Sequence, residues 1–336
     1  MAIVIISGLV VLLVAALAGS GFAASSKKAA AGDTCLVTDT GGLNDRGFNQ
    51  LANIGLQKAV KDLGIKGRVL TSSTSADYIP NLLSCVQGGA DLTIGVGFLM
   101  ADAMNAVATK FPNSKFAIID FPFDALAGKP ANTRGILFRE QEAGYLSGWL
   151  AIKTLMAAKK PLVIGAVGGV KIPPVDKFIA GYQAGAKAAN PKAKVLYGYS
   201  QSFTDQGKCK EIALNQIAQG SQAEFAVAGS CGLGALSAAK DKGIWGIGVD
   251  ADQAYLGSHM LTSAVKRVDE GVLRTIKQAK SGTFKGYGNT IFSVRAGGVG
   301  LGKINAKVPA SIVAQAKILE KAIAIGKVKN IPTTVS

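Results

Sequence analysis

Short, unbroken apolar runs alternate with helix-period segments from Thr34 almost to the end of the chain. Strands apolar on both faces must be covered on both, and strands joined through helices run parallel. The alternation therefore restricts the fold to parallel sheets layered with helices. The runs read as strands are 34–39, 67–72, 92–96, 115–120, 133–138, 162–167, 194–199, 225–228, 243–249, 260–264 and 290–293. The clearest helix is 48–63, where Phe48, Leu51, Ala52, Leu56, Ala59, Val60 and Leu63 share one face.

Residues 3–18 are apolar and uncharged, and small residues follow through Ala23 and Ala24. This has the form of a secretory signal peptide, although no Lys or Arg precedes the run. Residues 1–24 are expected to be a signal peptide and 25–33 a flexible lead-in, with cleavage after Ala23 or Ala24. A lipoprotein signal would have a cysteine at Ser20; a serine has no thiol to acylate. The roughly 300 residues that remain suffice for two lobes.

An exported chain can form disulfides, and there are four cysteines. Cys35 and Cys85 belong to the first half and Cys209 and Cys231 to the second, so the expected pairs are Cys35–Cys85 and Cys209–Cys231. With one histidine and no CxxC there is no metal motif. The net charge of +16 comes from scattered lysines, without the aromatic-interleaved basic pattern of a nucleic-acid binder. No GxSxG or HExxH marks an enzyme.

A weak repeat relates the halves: Phe48, Gly55 and Lys58-Ala59 follow the first strand as Phe178, Gly185 and Lys187-Ala188 follow the sixth. Two similar lobes create a cleft, a preferred ligand site. The first crossing between them is expected at 138–150, where Arg139, Glu140 and Glu142 can form ion pairs. A return to the first lobe is expected near Leu261 and a last crossing near 291–294. The first lobe is then 34–137 plus 260–290, and the second 138–259 plus 291–336.

In sheets of this kind ligands bind at the carboxyl ends of the strands. Asp39, Asp120 and Asp250 end apolar runs, and Phe48, Asn49 and Phe203 lie on segments that follow strands. Each also has an ordinary structural use, as helix cap, turn former or core aromatic. A carboxylate can accept from two neighbouring hydroxyls, which suits Asp250 to a ribose, with Lys266 holding it ionised. Phe48 and Phe203, from opposite lobes, suit a flat base. The segment Gly229-Ser230-Cys231-Gly232 reads as a close-approach turn lining the cleft. Asp205 or Asp250 as acid and base would instead make the chain a nucleoside- or sugar-cleaving enzyme, and a sensor that docks on a membrane receptor is a third reading.

The motifs Thr38-Asp39-x-Gly41-Gly42-x-x-Asp45-x-x-Phe48-Asn49, Ile119-Asp120-x-Pro122, Ser202-Phe203-x-Asp205, Gly248-Val249-Asp250-x-Asp252-Gln253 and Leu261-Thr262-Ser263-x-x-Lys266 occur in this order. Together they resemble the BMP (basic membrane protein) family of ABC-importer substrate-binding proteins, including the purine nucleoside receptors. The resemblance implies a type I periplasmic-binding-protein fold, with two doubly wound parallel-sheet lobes and a hinge of three crossings. It implies a monomer without cofactor or catalysis, outside the cytoplasmic membrane, that captures a nucleoside and passes it to a permease and ATPase. In that family's pattern Phe48 and Phe203 stack the base, Asp39, Asn49 and Asp120 contact base edges or ribose, and Asp250 and Lys266 bind ribose hydroxyls.

Overall fold

A computed structural model describes residues 30–336. The expected signal peptide and residues 25–29 of the lead-in lie outside the described residues. Gly32 and Asp33, expected to be flexible, are anchored. The Gly32 amide donates to Asp91 Oδ2 at 2.8 Å, and the Asp33 carbonyl accepts from the amides of Asp91 and Leu92.

The strands are β1 Thr34–Val37, β2 Gly67–Leu70, β3 Leu92–Gly95, β4 Lys115–Ile119, β5 Thr133–Phe138, β6 Val163–Gly168, β7 Lys194–Tyr199, β8 Ala223–Val227, β9 Trp245–Asp250, β10 Met260–Lys266, β11 Gly288–Phe292 and β12 Val299–Leu301. The helices are α1 Phe48–Leu63, α2 Tyr78–Gln87, α3 Ala101–Lys110, α4 Glu140–Ala157, α5 Pro173–Ala189, α6 Gln206–Ala218, α7 Gly232–Asp241, α8 Val268–Lys280 and α9 Ala310–Ala324. One sheet has the order β11-β5-β4-β3-β1-β2 and is parallel throughout. The other has the order β12-β10-β9-β8-β6-β7 and is parallel except at β12. Every run expected to be a strand overlaps one. The additional β12 is a short antiparallel edge amid glycines, with no apolar run to announce it.

One lobe assignment needs correction. Residues 260–266 were expected in the first lobe, but β10 pairs with β9 and β12 in the second sheet. The chain crosses at Arg139, at Arg267 and between β11 and β12. Sheet membership is decided by pairing with distant strands, which the apolar pattern of β10 does not encode. The crossings are bonded to one another. The Arg139 amide donates to the Phe292 carbonyl at 2.8 Å, the Val294 amide to Glu142 Oε2 at 2.7 Å, and Phe138 stacks on Phe292 at 5.1 Å.

Both expected disulfides are present, Cys35–Cys85 tying β1 to α2 and Cys209–Cys231 tying α6 to the turn before α7. The repeat has a packing cause. A Cβ on Gly55 of α1 would collide with the Asp269 backbone of α8, and one on Gly185 of α5 with the Tyr145 backbone of α4. Each glycine permits a close helix–helix approach beside its sheet.

Glu224 of β8 is fully buried, and neither carboxylate oxygen has a hydrogen-bond partner. Burial pushes its pKa up to about 8. The folded chain then binds a proton that the unfolded chain has lost, so stability falls as pH rises from the ordinary glutamate range to about 8. Glu224→Gln abolishes this titration. It is expected to melt above the parent at alkaline pH, with the gap narrowing on acidification. Parallel melting curves followed by circular dichroism over that range would disprove the assignment.

Candidate functional site

The site begins at the ends of strands. Asp39 follows β1, Asp120 follows β4, Asp250 ends β9 and Lys266 ends β10. Asp120 and Asp250 have φ of 70° and 62°, in the left-handed region that aspartate tolerates better than most residues. Two strained strand ends facing one cleft are an arrangement that functional sites favour.

At the start of α1, Asp45 accepts from the amides of Gly47, Asn49 and Gln50 at 3.0, 2.7 and 3.1 Å. This satisfies helix-end N–H groups and sets the direction in which Phe48 and Asn49 project. Asn49 Nδ2 donates to Asp39 Oδ1 at 2.7 Å, and the Gly41 amide donates to the same oxygen at 3.0 Å. The fixed amide leaves Asn49 Oδ1 buried without a partner. Gly97, at φ 116°, lies where a Cβ would come within 2.7 Å of Asp39 Oδ2.

In the second lobe Phe203 lies over Gly169, where a Cβ would meet its ring at 2.5 Å. Its carbonyl accepts from the Cys231 amide at 3.0 Å and Ser230 Oγ at 3.1 Å. The Cys209–Cys231 disulfide thus braces the turn that holds Phe203, and Gly229 of that turn lines the cleft.

All seven expected site residues, Asp39, Phe48, Asn49, Asp120, Phe203, Asp250 and Lys266, line one interlobe cavity. Asp45 and Phe178 also line it, and neither was expected as a ligand contact. Both had sequence signals: Asp45 precedes α1 at capping distance, and Phe178 is the repeat counterpart of Phe48. Asp205, the acid considered for cleavage, instead caps α6 by accepting from the Lys208 amide at 3.2 Å, and it does not line the cavity.

Lys266 attracts Asp250 as expected but lies closer to two other carboxylates. Its Nζ contacts Asp120 Oδ2 at 2.6 Å and Glu140 Oε1 at 3.0 Å, whereas Asp250 makes no ion pair with it. The ammonium also lies 4.9, 5.0 and 6.0 Å from the ring centres of Phe48, Phe138 and Phe178. Burial alone would lower the pKa of Lys266, but Asp120, Glu140 and Asp250 outweigh it and raise the value. Burial pushes Asp39 up to about 6 against its hydrogen bonds from Asn49 and Gly41. It pushes Asp250 up to about 7 despite the attraction of Lys266, with Asp45 across the seam adding repulsion. The lobes also touch at this seam, where Gln253 Nε2 donates to the Arg46 carbonyl at 3.1 Å.

Two parallel-sheet lobes, three crossings and a cleft where strand-end carboxylates meet aromatic rings define a solute-binding protein of the type I periplasmic fold. A solved solute-binding protein of an ABC transporter system from Aeropyrum pernix K1 superposes with a TM-score of 0.79 at 26% identity, covering 89% of this chain and 93% of that one. The family described as Bmp, ABC transporter substrate-binding protein PnrA-like, matches residues 33–333, and the chain belongs to it. Similar relatives include the CD4+ T-cell-stimulating antigen of Listeria monocytogenes, 34% identical over 88% of this chain and 86% of that protein. Another is the ABC transporter nucleoside-binding protein BmpA of Lactococcus lactis, 36% identical over 81% of each.

Replacing Lys266 with methionine leaves Asp120 and Glu140 as buried carboxylates without their shared cation. Lys266→Met is expected to destabilise the protein by about 3–5 kcal/mol in urea unfolding at neutral pH. A loss below about 1 kcal/mol would show that water reaches this pair as it reaches surface ion pairs.

Proposed function

We propose that the cleft captures a nucleoside, with purines preferred, on the outer side of the cytoplasmic membrane, and that the chain delivers it to an ABC permease and its ATPase. The observation that carries this reading is the convergence of Phe48 and Phe203, from opposite lobes, on a cavity that also presents Asp39, Asn49, Asp120 and Asp250. Aromatic faces accept a flat base, and carboxylate and amide oxygens accept from base N–H groups and ribose hydroxyls. The similarity to a relative named as nucleoside-binding supports the same reading.

Mechanistically, a ligand that touches both lobes only when they are closed shifts the population toward the closed form. Asp39 and Asn49 act as one hydrogen-bonded unit at the base edge, Asp250 takes ribose hydroxyls, and Lys266 donates beside Asp120. No bond in the ligand is made or broken.

Isothermal titration with inosine, guanosine, adenosine, cytidine and uridine tests the assignment. One-to-one binding is expected, strongest for a purine, with the nucleoside recovered unchanged after long incubation. Binding no tighter than millimolar for every member would refute the nucleoside assignment. Phe203→Ala should weaken binding of the best ligand by about 1–3 kcal/mol, the range for loss of a base–aromatic stack. An unaltered affinity would return Phe203 to packing within its own lobe.

A further inference from the structure

Four alternating charges run from the surface of the second lobe into the cleft. Lys177 Nζ of α5 lies 3.6 Å from Glu140 Oε2, Glu140 Oε1 lies 3.0 Å from Lys266 Nζ, and Lys266 Nζ lies 2.6 Å from Asp120 Oδ2. The Lys177 side chain is 28% exposed, whereas those of Glu140, Lys266 and Asp120 are 1%, 2% and 5% exposed. The chain of charges sums to zero, which permits burial of its inner members.

Its members divide between the lobes in a telling way. Glu140 opens α4 immediately after the first crossing, and Lys266 ends β10 immediately before the second. Both belong to the second lobe, so their contact does not depend on closure. Asp120 belongs to the first lobe, and its contact with Lys266 bridges the two.

We propose that Glu140 is a positioning residue for ligand capture: it holds the Lys266 ammonium in place within the second lobe, so that closure brings Asp120 and the ligand to a cation already fixed. The inference rests on the capture reading above and adds a residue to it. An ammonium has three hydrogens. Asp120 accepts one of them, Glu140 pairs with the charge at 3.0 Å, and a hydrogen remains for a ligand oxygen or nitrogen. Neutralising Glu140 would leave the ammoniums of Lys177 and Lys266 facing each other without the carboxylate between them. Lys266 would then move away from Lys177 and lose its aim. Lys177 does not line the cavity, so its removal relieves the repulsion without touching the ligand.

The test compares Glu140→Gln, Lys177→Met and the double variant. In ligand-free protein with 15N-labelled lysine, the Lys266 ammonium is identified by the ring-current shift from Phe48 and Phe138. Glu140→Gln is expected to move this signal and accelerate its hydrogen exchange, and Lys177→Met in the same chain to restore part of the protection. Inosine affinity, measured by titration, should fall roughly tenfold or more in Glu140→Gln, as for a buried charge pair deprived of one member. It should recover partly in the double variant. If Glu140→Gln does not fold, the double variant keeps the charge balance and is compared directly with the parent and with Lys177→Met. An unchanged Lys266 signal, an unchanged inosine affinity, or a double variant no better than Glu140→Gln would overturn the assignment. If the parent binds no nucleoside of the panel, the nucleoside reading fails on its own, and the ammonium signal still decides the role of Glu140.

Discussion

A buried ammonium at the hinge organises the molecule. Lys266 is the one cation among the residues described as lining the cleft, and its side chain is 2% exposed. Desolvating such a charge costs several kcal/mol unless nearby groups replace water. Asp120 and Glu140 provide opposite charge, and Phe48, Phe138 and Phe178 turn their rings toward it. These partners come from both lobes, from the segments next to the first crossing and from both repeat-related helices. Satisfying this one ion therefore requires the strand ends, α1, α4 and α5 to meet where they do. The hinge and the site share one set of contacts.

The repeat shows how two similar lobes acquired different work. Phe48 and Phe178 occupy corresponding places near the starts of α1 and α5, and both flank Lys266. Gly55 and Gly185 serve corresponding close helix approaches. Around this common frame the first lobe carries polar groups: Asp39, Asn49 and the capping Asp45. In the corresponding part of the second lobe, Ile172, Pro174 and Val175 line the cavity instead. Polarity is concentrated on one wall at this end of the cleft, while Asp250 and Lys266 supply it from the strands that follow.

The sequence made legible what depends on local pattern. Strands show as apolar runs, and site residues show as polar groups at their ends, because burial and strand-end geometry leave marks within a few residues. What depends on pairing across the chain was harder to read. The strand around Leu261 was recognisable, but its sheet was not, since the partners of β10 are set by distant register. Lys266 was identifiable as a cleft residue, yet its hydrogen-bond partner Asp120 lies 146 positions away, while Asp250, nearer in the chain, attracts it without forming an ion pair. Glu140 had been read only as a hinge ion-pair residue, because nothing local distinguishes it from Glu142. Its neighbour Glu142 does bind the hinge backbone at Val294.

The balance of donors and acceptors explains why a ligand should drive closure. Asn49 Oδ1 and Asp120 Oδ1 are buried without hydrogen-bond partners, on residues that line the cavity. Asp39 and Asp250 are pushed toward protonation by the same burial, and Asp45 faces Asp250 across the seam. An unsatisfied buried acceptor costs about 1–3 kcal/mol, so a closed cleft without added donors is poorly satisfied. A molecule with several N–H and O–H groups relieves these costs together, while one rich in negative charge adds to the repulsion among the carboxylates. The sole lining cation is already engaged by Asp120 and Glu140 and leaves little with which to balance a phosphate. On these grounds an uncharged, donor-rich molecule suits the closed cleft better than a phosphorylated one, and the same acids make closure without a ligand unfavourable.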